Sequence, residues 1–342
     1  MTRPDPGRRR FLKILGATPG MLLAPGAPAV RAEAAFAAPD AKLHIWRGVA
    51  LGADAMIQLH HPDAAAAKDL IDKSLTEVAR LERIFSLYDP DSSLSRLNRD
   101  GSLNEPPLEL VELLGRSVDF SEMTGGAFDV TVQPLWNLYA THFSRPNADP
   151  AGPSRQDLAL ALALARVGYG SIALTPERVR FTRRGAAVTL NGIAQGYLTD
   201  CVVNLLRRAG IGQTLVDMGE IRALDGRPLG GPWVVGLEGS RSPGRVGRRI
   251  ALDNRAVSTS GGYGTPLDPA GRFNHIFDPA TGGTSWRYRS VSVAADCATT
   301  ADAFSTGFSL MPVEAIAALA RQLRLSVYLT MPDGGEKRLN VA

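Results

Sequence analysis

The sequence predicts an α+β fold in which mixed or antiparallel sheets pack with helices in one compact unit. Strand-like and helix-like segments follow one another without the regular βαβ alternation that is typical of a parallel sheet. The 342 residues are enough to bury a sizeable core. No linker after residue 32 is long enough to divide the chain, so residues 33–342 are predicted to form one domain.

Helix patterns dominate the first half of the chain. Residues 42–61 alternate as a β-hairpin that turns around Gly52 and Ala53. Residues 64–85 then predict an amphipathic helix with these apolar side chains on one face: Leu70, Ile71, Leu75, Val78, Leu81 and Phe85. A second helix is predicted from Pro106 to Thr124, before two glycines, and Ser154 is expected to cap a helix over 155–168.

The second half is richer in strand patterns. The predicted strands are 179–182, 187–190, 214–218, 232–238, 256–259 and 290–294, and the predicted helices are 196–210, 296–310 and 313–323. Both cysteines, Cys201 and Cys297, lie in predicted helices. They are therefore either a disulfide pair in an exported protein or two buried free thiols.

The N-terminus is predicted to be an export signal. Arg8, Arg9 and Arg10 precede Phe11-Leu12-Lys13 and a mildly apolar run that closes on small residues, which resembles a twin-arginine signal peptide over residues 1–32. The alternative is a disordered basic tail. Elsewhere no uninterrupted apolar run reaches the roughly 18 residues of a spanning helix, so we expect a soluble periplasmic chain without a transmembrane anchor.

The basic charge of the chain comes from this leader. Residues 1–32 hold six Lys/Arg and one acidic residue, which leaves 32 basic and 33 acidic residues in the remainder. Nucleic acid is therefore not an expected partner, because its binding depends on a basic surface.

Four stretches combine glycine with polar groups in a way that a core does not require. They are "GGAFDVT" (125–131), "LNGIAQGYLTD" (190–200), "STSGGYGT" (258–265) with "RFNHIFDPATGG" (272–283), and "TTADAFSTGFSL" (299–310). The first is alternatively a plain turn that Asp129 caps. The second suits a phosphate, because a strand-to-helix turn offers backbone N–H groups, but it lacks the Gly-Lys-Ser/Thr ending of a P-loop.

Asp302 and Thr306 form a candidate cation site. They are four residues apart and so share one face of the predicted helix. A carboxylate and a hydroxyl suit a hard cation such as Mg²⁺. The alternative, which the spacing alone favours, is that the Thr306 hydroxyl bonds back to the Asp302 carbonyl.

Taken in order, the motifs resemble the ApbE family of FAD:protein FMN transferases from about residue 43 to about 330. The matching pieces are "FSLYDPDSSLSRLN", "GGAFDVTVQPLWNLY", "LNGIAQGY", "LVDMGEIRALDGRP", "WVVGLE", "AVSTSGGYG", "NHIFDPATGG" and "ADAFSTGFSLMP". The resemblance implies an ApbE-like fold and an enzyme that splits FAD at its diphosphate. The FMN half then moves onto a Thr or Ser hydroxyl of a client protein as a phosphoester, and AMP leaves.

The resemblance also assigns residues. The cation, Mg²⁺ or Mn²⁺, would be held by the Asp302 carboxylate, the Thr306 hydroxyl and the Gly192 carbonyl. The residues implied to contact FAD are Leu51, Tyr88, Ala127, Phe128, Asp129, Thr189, Gln195, His275 and Ile276. His275 is the expected base for the client hydroxyl, since its ordinary pKa is near neutrality. Alternatively His275 only orients the diphosphate, and Asp129 or Asp278 lies nearer the proton.

Two departures from the family pattern point to a branch. The family often has Lys at the position of Gln195 and Asp at the position of Thr189. The stretches "LNGIAQGYLTD" and "LVDMGEIRAL", together with the leader, resemble the NosX-like proteins. Their client would be a membrane-bound electron-transfer protein of nitrous oxide respiration. Two other hypotheses stay open: a periplasmic FAD pyrophosphatase that uses water as nucleophile, and a flavin-binding carrier without catalysis.

Overall fold

The computed structural model describes residues 12–14, 41–154, 156–228, 230–239 and 242–340. The predicted signal segment, 1–32, lies outside these ranges except for Leu12–Ile14, whose backbone forms a short strand. Within the described ranges, no helix combines the length and hydropathy that crossing a bilayer requires.

The bounds of the elements are as follows. The strands are β1 (Leu12–Ile14), β2 (Lys42–Ala50), β3 (Ala53–His61), β4 (Ser102–Asn104), β5 (Ile172–Leu174), β6 (Arg178–Phe181), β7 (Thr214–Asp217), β8 (Ile221–Leu224), β9 (Trp233–Gly239), β10 (Ser242–Leu252), β11 (Ala256–Ser260), β12 (Ser290–Ala295), β13 (Ser326–Thr330) and β14 (Glu336–Leu339). The α-helices are α1 (Ala64–Phe85), α2 (Ser93–Asp100), α3 (Leu108–Met123), α4 (Gln133–Phe143), α5 (Leu158–Leu164), α6 (Ala194–Arg208), α7 (Ala298–Phe308) and α8 (Val313–Gln322).

An antiparallel sheet forms the centre of the fold. Eight strands pair in the order β14-β13-β12-β11-β8-β7-β3-β2, and each neighbouring pair is antiparallel. Two smaller sheets, β1-β9-β10 and β4-β6-β5, complete the described strands. The α+β prediction is confirmed, because neighbouring strands of this sheet are antiparallel, whereas βαβ crossovers would give parallel neighbours.

Both faces of the central sheet are covered. The main core joins one face to the helices, with Ile57 and Val293 of the sheet packed among Leu81, Leu198 and Phe304. On the other face a second apolar cluster joins β7, β8 and β11 to the β9–β10 hairpin, where Trp233 and Leu252 are buried. Burial on both faces explains why several of these strands are continuous apolar runs.

Most of the strongly periodic elements form where the sequence predicts them. The hairpin pairs Lys42 with His61 through to Ala50 with Ala53. The apolar face of α1 packs into the main core. The sequence patterns did not predict the strands β1, β4, β5, β8, β10, β13 and β14 or the helices α2 and α4.

The prediction of a strand over 187–190 is wrong. No described strand pairs with this segment, and the Asn98 side chain takes up the backbone hydrogen bonds of Val188 instead. Its Oδ1 accepts from the Val188 N–H at 2.8 Å, and its Nδ2 donates to the Val188 carbonyl at 2.8 Å. The Thr189 N–H donates to the Val130 carbonyl instead of to a ladder partner. A side-chain amide that mimics a strand cannot be seen in a local pattern.

Two smaller expectations are also settled. Ser154 does not cap the helix that follows it: α5 begins after Asp157, and the Ser154 N–H donates to the Asp157 carboxylate at 2.7 Å. Cys201 and Cys297 are free thiols, each partly buried, so the disulfide alternative is not what the structure shows.

Candidate active site

Helices α6 and α7 each supply a carboxylate that caps the first turn of the other helix. Asp200 of α6 accepts hydrogen bonds from the Ala298 and Thr299 N–H groups, each at 2.9 Å, and so caps α7. In return Asp302 of α7 accepts from the Gly196 N–H at 3.1 Å in the first turn of α6. This reciprocal capping, called the α6/α7 clamp below, places one carboxylate at the N-terminus of each helix, where it is stabilised.

Glycine makes the close approach of these helices possible. A Cβ on Gly196 would lie 2.9 Å from the Asp302 Cβ and would collide with the Ala298 carbonyl. A Cβ on Gly192 would lie 2.9 Å from the Thr306 Oγ1. The backbone turn at 192–196 is therefore packed directly against the helix that carries Asp302 and Thr306.

The three predicted cation ligands are consequently brought together. Asp302 is 1% exposed, and the Thr306 hydroxyl lies beside the Gly192 backbone. A carboxylate, a hydroxyl and a backbone carbonyl are the oxygen donors that Mg²⁺ or Mn²⁺ accepts. In the described part of the chain no group of three His, Cys, Asp or Glu side chains could hold a metal. The oxygen donors of Gly192, Asp302 and Thr306 thus fit a hard cation.

The Thr306 hydroxyl does not make the local bond that the spacing favoured. The hydroxyl that donates to the Asp302 carbonyl is that of Ser305, at 3.0 Å. Thr306 Oγ1 instead lies 3.2 Å from Ser260 Oγ on β11. Ser260 is a neighbour of the site that the sequence analysis did not single out, because its contact crosses 46 residues.

The 190–200 turn offers fewer N–H groups than a phosphate cradle requires. The Ile193 and Ala194 N–H groups both donate to the Leu190 carbonyl, and the Gly196 N–H is taken by Asp302. The expected backbone nest for phosphate is therefore largely satisfied within the protein. What remains for an anion is the positive end of α6.

Gln195 is buried below the β7–β8 turn. A Cβ on Gly219, whose φ is +99°, would lie 2.6 Å from Gln195 Nε2, so only glycine leaves room for the amide. The Gly219 N–H donates to Asp217 Oδ1 at 3.0 Å. Burial raises the pKa of Asp217 to about 7, against the lowering effect of that hydrogen bond, and the nearby Asp54 raises it further. Asp217 is a second residue near the site that the sequence analysis missed.

An open pocket of about 470 Å³ lies next to the clamp. It is lined by Leu87, Tyr88, Ser95, Asn98, Arg99, Gln133, Trp136, Asn137, Ala187 and Asn191. Asn191 precedes the candidate ligand Gly192, and Tyr88 is 67% exposed. Aromatic and amide side chains beside a cation site suit a planar, polar ligand. Trp136 lies in a motif that indicated the family resemblance, but the sequence alone assigned it no role.

The 127–131 segment is a packed turn. Phe128 is buried against Phe120, with ring centroids 6.2 Å apart, so a flavin contact from this residue would come from its backbone. Asp129 Oδ1 accepts from both the N–H and the hydroxyl of Thr131, and its Oδ2 accepts from the Tyr169 N–H at 2.9 Å. Burial raises the pKa of Asp129, although these hydrogen bonds lower it. The role of Asp129 in the structure is that of a cap. Ala127, two residues earlier, is partly buried.

His275 lies half-buried between two anchored residues. The side chain of Asn274 donates to the Ser285 carbonyl at 2.8 Å and accepts from the Ile276 N–H at 2.8 Å. The Ile276 carbonyl also accepts from the Ser285 N–H, which leaves one lone pair for a ligand. Asn274 packs so closely on Gly262 that a Cβ there would lie 2.5 Å from its Nδ2. The His275 loop is therefore fixed on the turn that follows β11 and Ser260.

Two other predicted residues have structural tasks. Asp278 holds its own turn through the Ala280 N–H at 2.9 Å and the Thr281 hydroxyl at 2.8 Å. Leu51 occupies the β2–β3 turn with a φ of +46°, and its N–H donates to the Glu82 carboxylate at 2.6 Å. A leucine at positive φ is strained, and such strain is commonest where function requires it.

The fold and site together define an α+β protein with a candidate oxygen-ligand cation site beside an open pocket. The ApbE family model matches residues 51–329, and the chain belongs to the ApbE family. This confirms the resemblance that the motifs indicated.

Curated relatives and solved structures agree with this assignment. The chain is 32% identical over 257 residues to an FAD:protein FMN transferase of Haemophilus influenzae, covering 71% of this chain and 73% of that protein. It is 28% identical over 284 residues to one from Escherichia coli K12, covering 80% and 79%. An ApbE protein from Thermotoga maritima has a TM-score of 0.77 at 27% identity, covering 87% of this chain and 97% of the other. The apo flavinyl transferase ApbE of Pseudomonas stutzeri has a TM-score of 0.74 at 26% identity, covering 87% and 95%.

Proposed function

We propose that this protein is an FAD:protein FMN transferase that depends on Mg²⁺ or Mn²⁺. The observation that carries the proposal is the convergence of Gly192, Asp302 and Thr306 at the α6/α7 clamp, beside the open pocket. Curated relatives of this ApbE-family chain are named for the same activity. The donor set supports a hard cation, and the pocket supports a large planar ligand.

The reaction moves the FMN phosphoryl group to a client hydroxyl. The Thr or Ser oxygen of the client forms a bond to the FMN phosphorus, the bond from that phosphorus to the AMP oxygen breaks, and AMP leaves. When bound, the cation would offset the charge of the diphosphate and of the departing AMP. Asp302, Thr306 and Gly192 would hold that cation, and the positive end of α6 would favour the anion.

His275 would take the proton of the client hydroxyl. Its imidazole has a pKa near neutrality in its ordinary state and stands on a loop that Asn274 anchors at two points. Asp129 and Asp278 support this assignment indirectly, since their carboxylates are engaged in caps and turns.

The flavin half would lie in the open pocket. Tyr88 and Trp136 offer aromatic surfaces there. Backbone and side-chain groups at Ala127, Phe128, Thr189, Gln195 and Ile276, with Leu51 at the hairpin turn, complete the proposed FAD contacts.

We also propose that the protein acts in the periplasm and that its client is a membrane-bound flavoprotein. Arg8 to Arg10 support twin-arginine export of a precursor with residues 1–32 as its signal and 33–342 as the periplasmic domain. The NosX-like motifs support a client among the membrane-bound flavoproteins of nitrous oxide respiration. A client peptide must then reach the phosphorus from the open side of the pocket.

Intact-mass measurement tests the proposed activity. The protein is incubated with FAD, Mg²⁺ and a client fragment that carries the acceptor Thr or Ser, while AMP and FMN are followed by chromatography. An FMN-sized adduct that is absent with Asp302→Ala establishes the transferase. AMP and free FMN without an adduct would show an FAD pyrophosphatase, and bound FAD without either product would show a carrier.

A further inference from the structure

A chain of four hydroxyl groups connects strand β11 to the candidate cation site. Ser258 and Ser260 lie on β11, and Ser305 and Thr306 lie on α7. We infer that Ser260 is a positioning residue that turns the Thr306 hydroxyl proton away from the cation. The inference rests on the proposed function, because it concerns the same cation site.

Counting protons gives a direction to each contact. Each hydroxyl has one proton to donate. Ser305 Oγ donates to the Asp302 carbonyl at 3.0 Å, so its proton is used. All four contacts can be hydrogen bonds at once only if Ser305 Oγ accepts at its two other contacts, which are Ser258 Oγ at 3.0 Å and Ser260 Oγ at 2.7 Å.

The same count fixes the last contact. Since Ser260 donates to Ser305, it has no proton left for Thr306 Oγ1, 3.2 Å away. Thr306 is therefore the donor and Ser260 the acceptor. The Thr306 proton points toward β11, and its lone pairs are left for other partners.

This direction is what a cation ligand needs. A hydroxyl binds a cation through an oxygen lone pair, and a proton directed at the cation would oppose binding. Ser258 and Ser305 are fully buried, whereas Ser260 and Thr306 are partly buried, so water is excluded from the inner half of the hydroxyl chain. The hydrogen bonds around a metal ligand commonly change metal affinity by about 10- to 100-fold, and Ser260 stands in that position toward Thr306.

Mn²⁺ titration followed by electron paramagnetic resonance tests the inference. The dissociation constant is measured on the protein with and without FAD. Ser260→Ala should weaken Mn²⁺ binding by about 10- to 100-fold, and Ser260→Thr, which keeps a hydroxyl, should recover most of it.

Ser258→Ala is the matched control. It removes a hydroxyl from the same strand and from the same partner, Ser305, but does not contact Thr306. Less than about a threefold change is expected, which is below 1 kcal/mol. In a Thr306→Ala background Ser260→Ala should have no further effect, because the hydroxyl that it positions is gone.

The outcomes separate the two proposals. Wild-type binding that Thr306→Ala weakens, together with unchanged binding by Ser260→Ala, would overturn this inference and leave the cation site intact. Equal loss with Ser258→Ala would overturn it as well, since the effect would then be general to β11. Wild-type protein that binds no Mn²⁺ even with FAD would overturn both.

Discussion

The two sides of the candidate site are built differently. On the cation side, Asp302, Ser305 and Asp200 are buried, and hydrogen bonds between α6, α7 and β11 fix their positions. On the pocket side, Tyr88 and Asn191 are exposed, and the walls come from α2, α4 and the segment 187–191. One side is a closed hydrogen-bonded core, and the other is an open surface.

The difference matches two different tasks. Cation ligands must be held before the cation arrives, because each degree of freedom lost on binding weakens it. Under the proposed function the pocket also admits a dinucleotide and a segment of a client protein, and it must therefore stay open. Changes on the cation side should therefore affect both chemistry and stability, and changes on the pocket side should affect ligand binding more than folding.

The largest effect is expected at the cation ligand. Asp302→Asn keeps the shape of the side chain and an acceptor for the Gly196 N–H, but it removes the charge that a divalent cation needs. Transfer should fall by roughly a thousandfold or more, measured as the initial rate of adduct formation. The variant should stay folded by circular dichroism, and a rate within tenfold of wild type would mean that Asp302 holds no essential cation.

His275→Ala should lower transfer by about 100- to 10,000-fold, because a positioned base contributes about that much. The dissociation constant for FAD, from fluorescence titration, should change little. His142→Ala is the matched control, since that ring lies on α4 and contacts the Asp149 carbonyl. Retained transfer would exclude His275 as the base, and parallel loss of FAD binding would assign it to orienting the diphosphate.

Weakening the α6/α7 clamp should lower the free energy of unfolding. Asp200→Asn weakens the cap of α7 and the ion pair with Arg222, which is 2.6 Å away and largely buried. The free energy of unfolding, from urea denaturation, should fall by about 2 to 4 kcal/mol. Asp296→Asn, an exposed carboxylate close in sequence, should cost less than about 0.5 kcal/mol. Equal effects would contradict a specific role for the clamp.

The raised pKa of Asp217 predicts that folding stability depends on pH. Its pKa in the folded protein, about 7, is above the ordinary value of 3.8, so between these pH values the folded state holds a proton that the unfolded chain has lost. The contribution of Asp217 to stability is therefore present at low pH and is lost as the pH rises to about 7.

Replacing this carboxyl tests the sign. Asp217→Asn should raise the unfolding free energy at pH 8 by up to about 4 kcal/mol, with the gain shrinking toward pH 4. Asp54→Asn should give a smaller gain, because it removes only a neighbouring charge. Thermal unfolding across this pH range measures both, and a gain that grew toward acid would reverse the assigned direction.

The smallest effect is expected from Gln195→Lys. A lysine would restore a positive charge near the proposed phosphate position, and the dissociation constant for FAD should fall by about 3- to 10-fold at low salt. The gain should shrink at high salt. Because Gln195 packs on Gly219, weaker FAD binding together with lower stability would show that the site has adapted its packing to the amide.

Elements with a strong local period could be predicted from sequence alone. The β2–β3 hairpin, α1 and α3 follow from alternation, from an apolar helical face and from terminal glycines. Asp302 and Thr306 were also found from spacing, because four residues in a helix fix a shared face. The match of the motifs with the ApbE family then gave the rest of the candidate ligands.

Contacts between distant parts of the chain were decided only by the tertiary structure. The local pattern of residues 187–190 predicted a strand, but Val188 is hydrogen-bonded to the side chain of Asn98, which lies 90 residues away. The direction of the Thr306 proton depends on Ser260 of another element, and the raised pKa of Asp217 depends on burial. Sequence spacing specifies which side chains share a face; desolvation and hydrogen-bond direction depend on what the folded chain packs against that face.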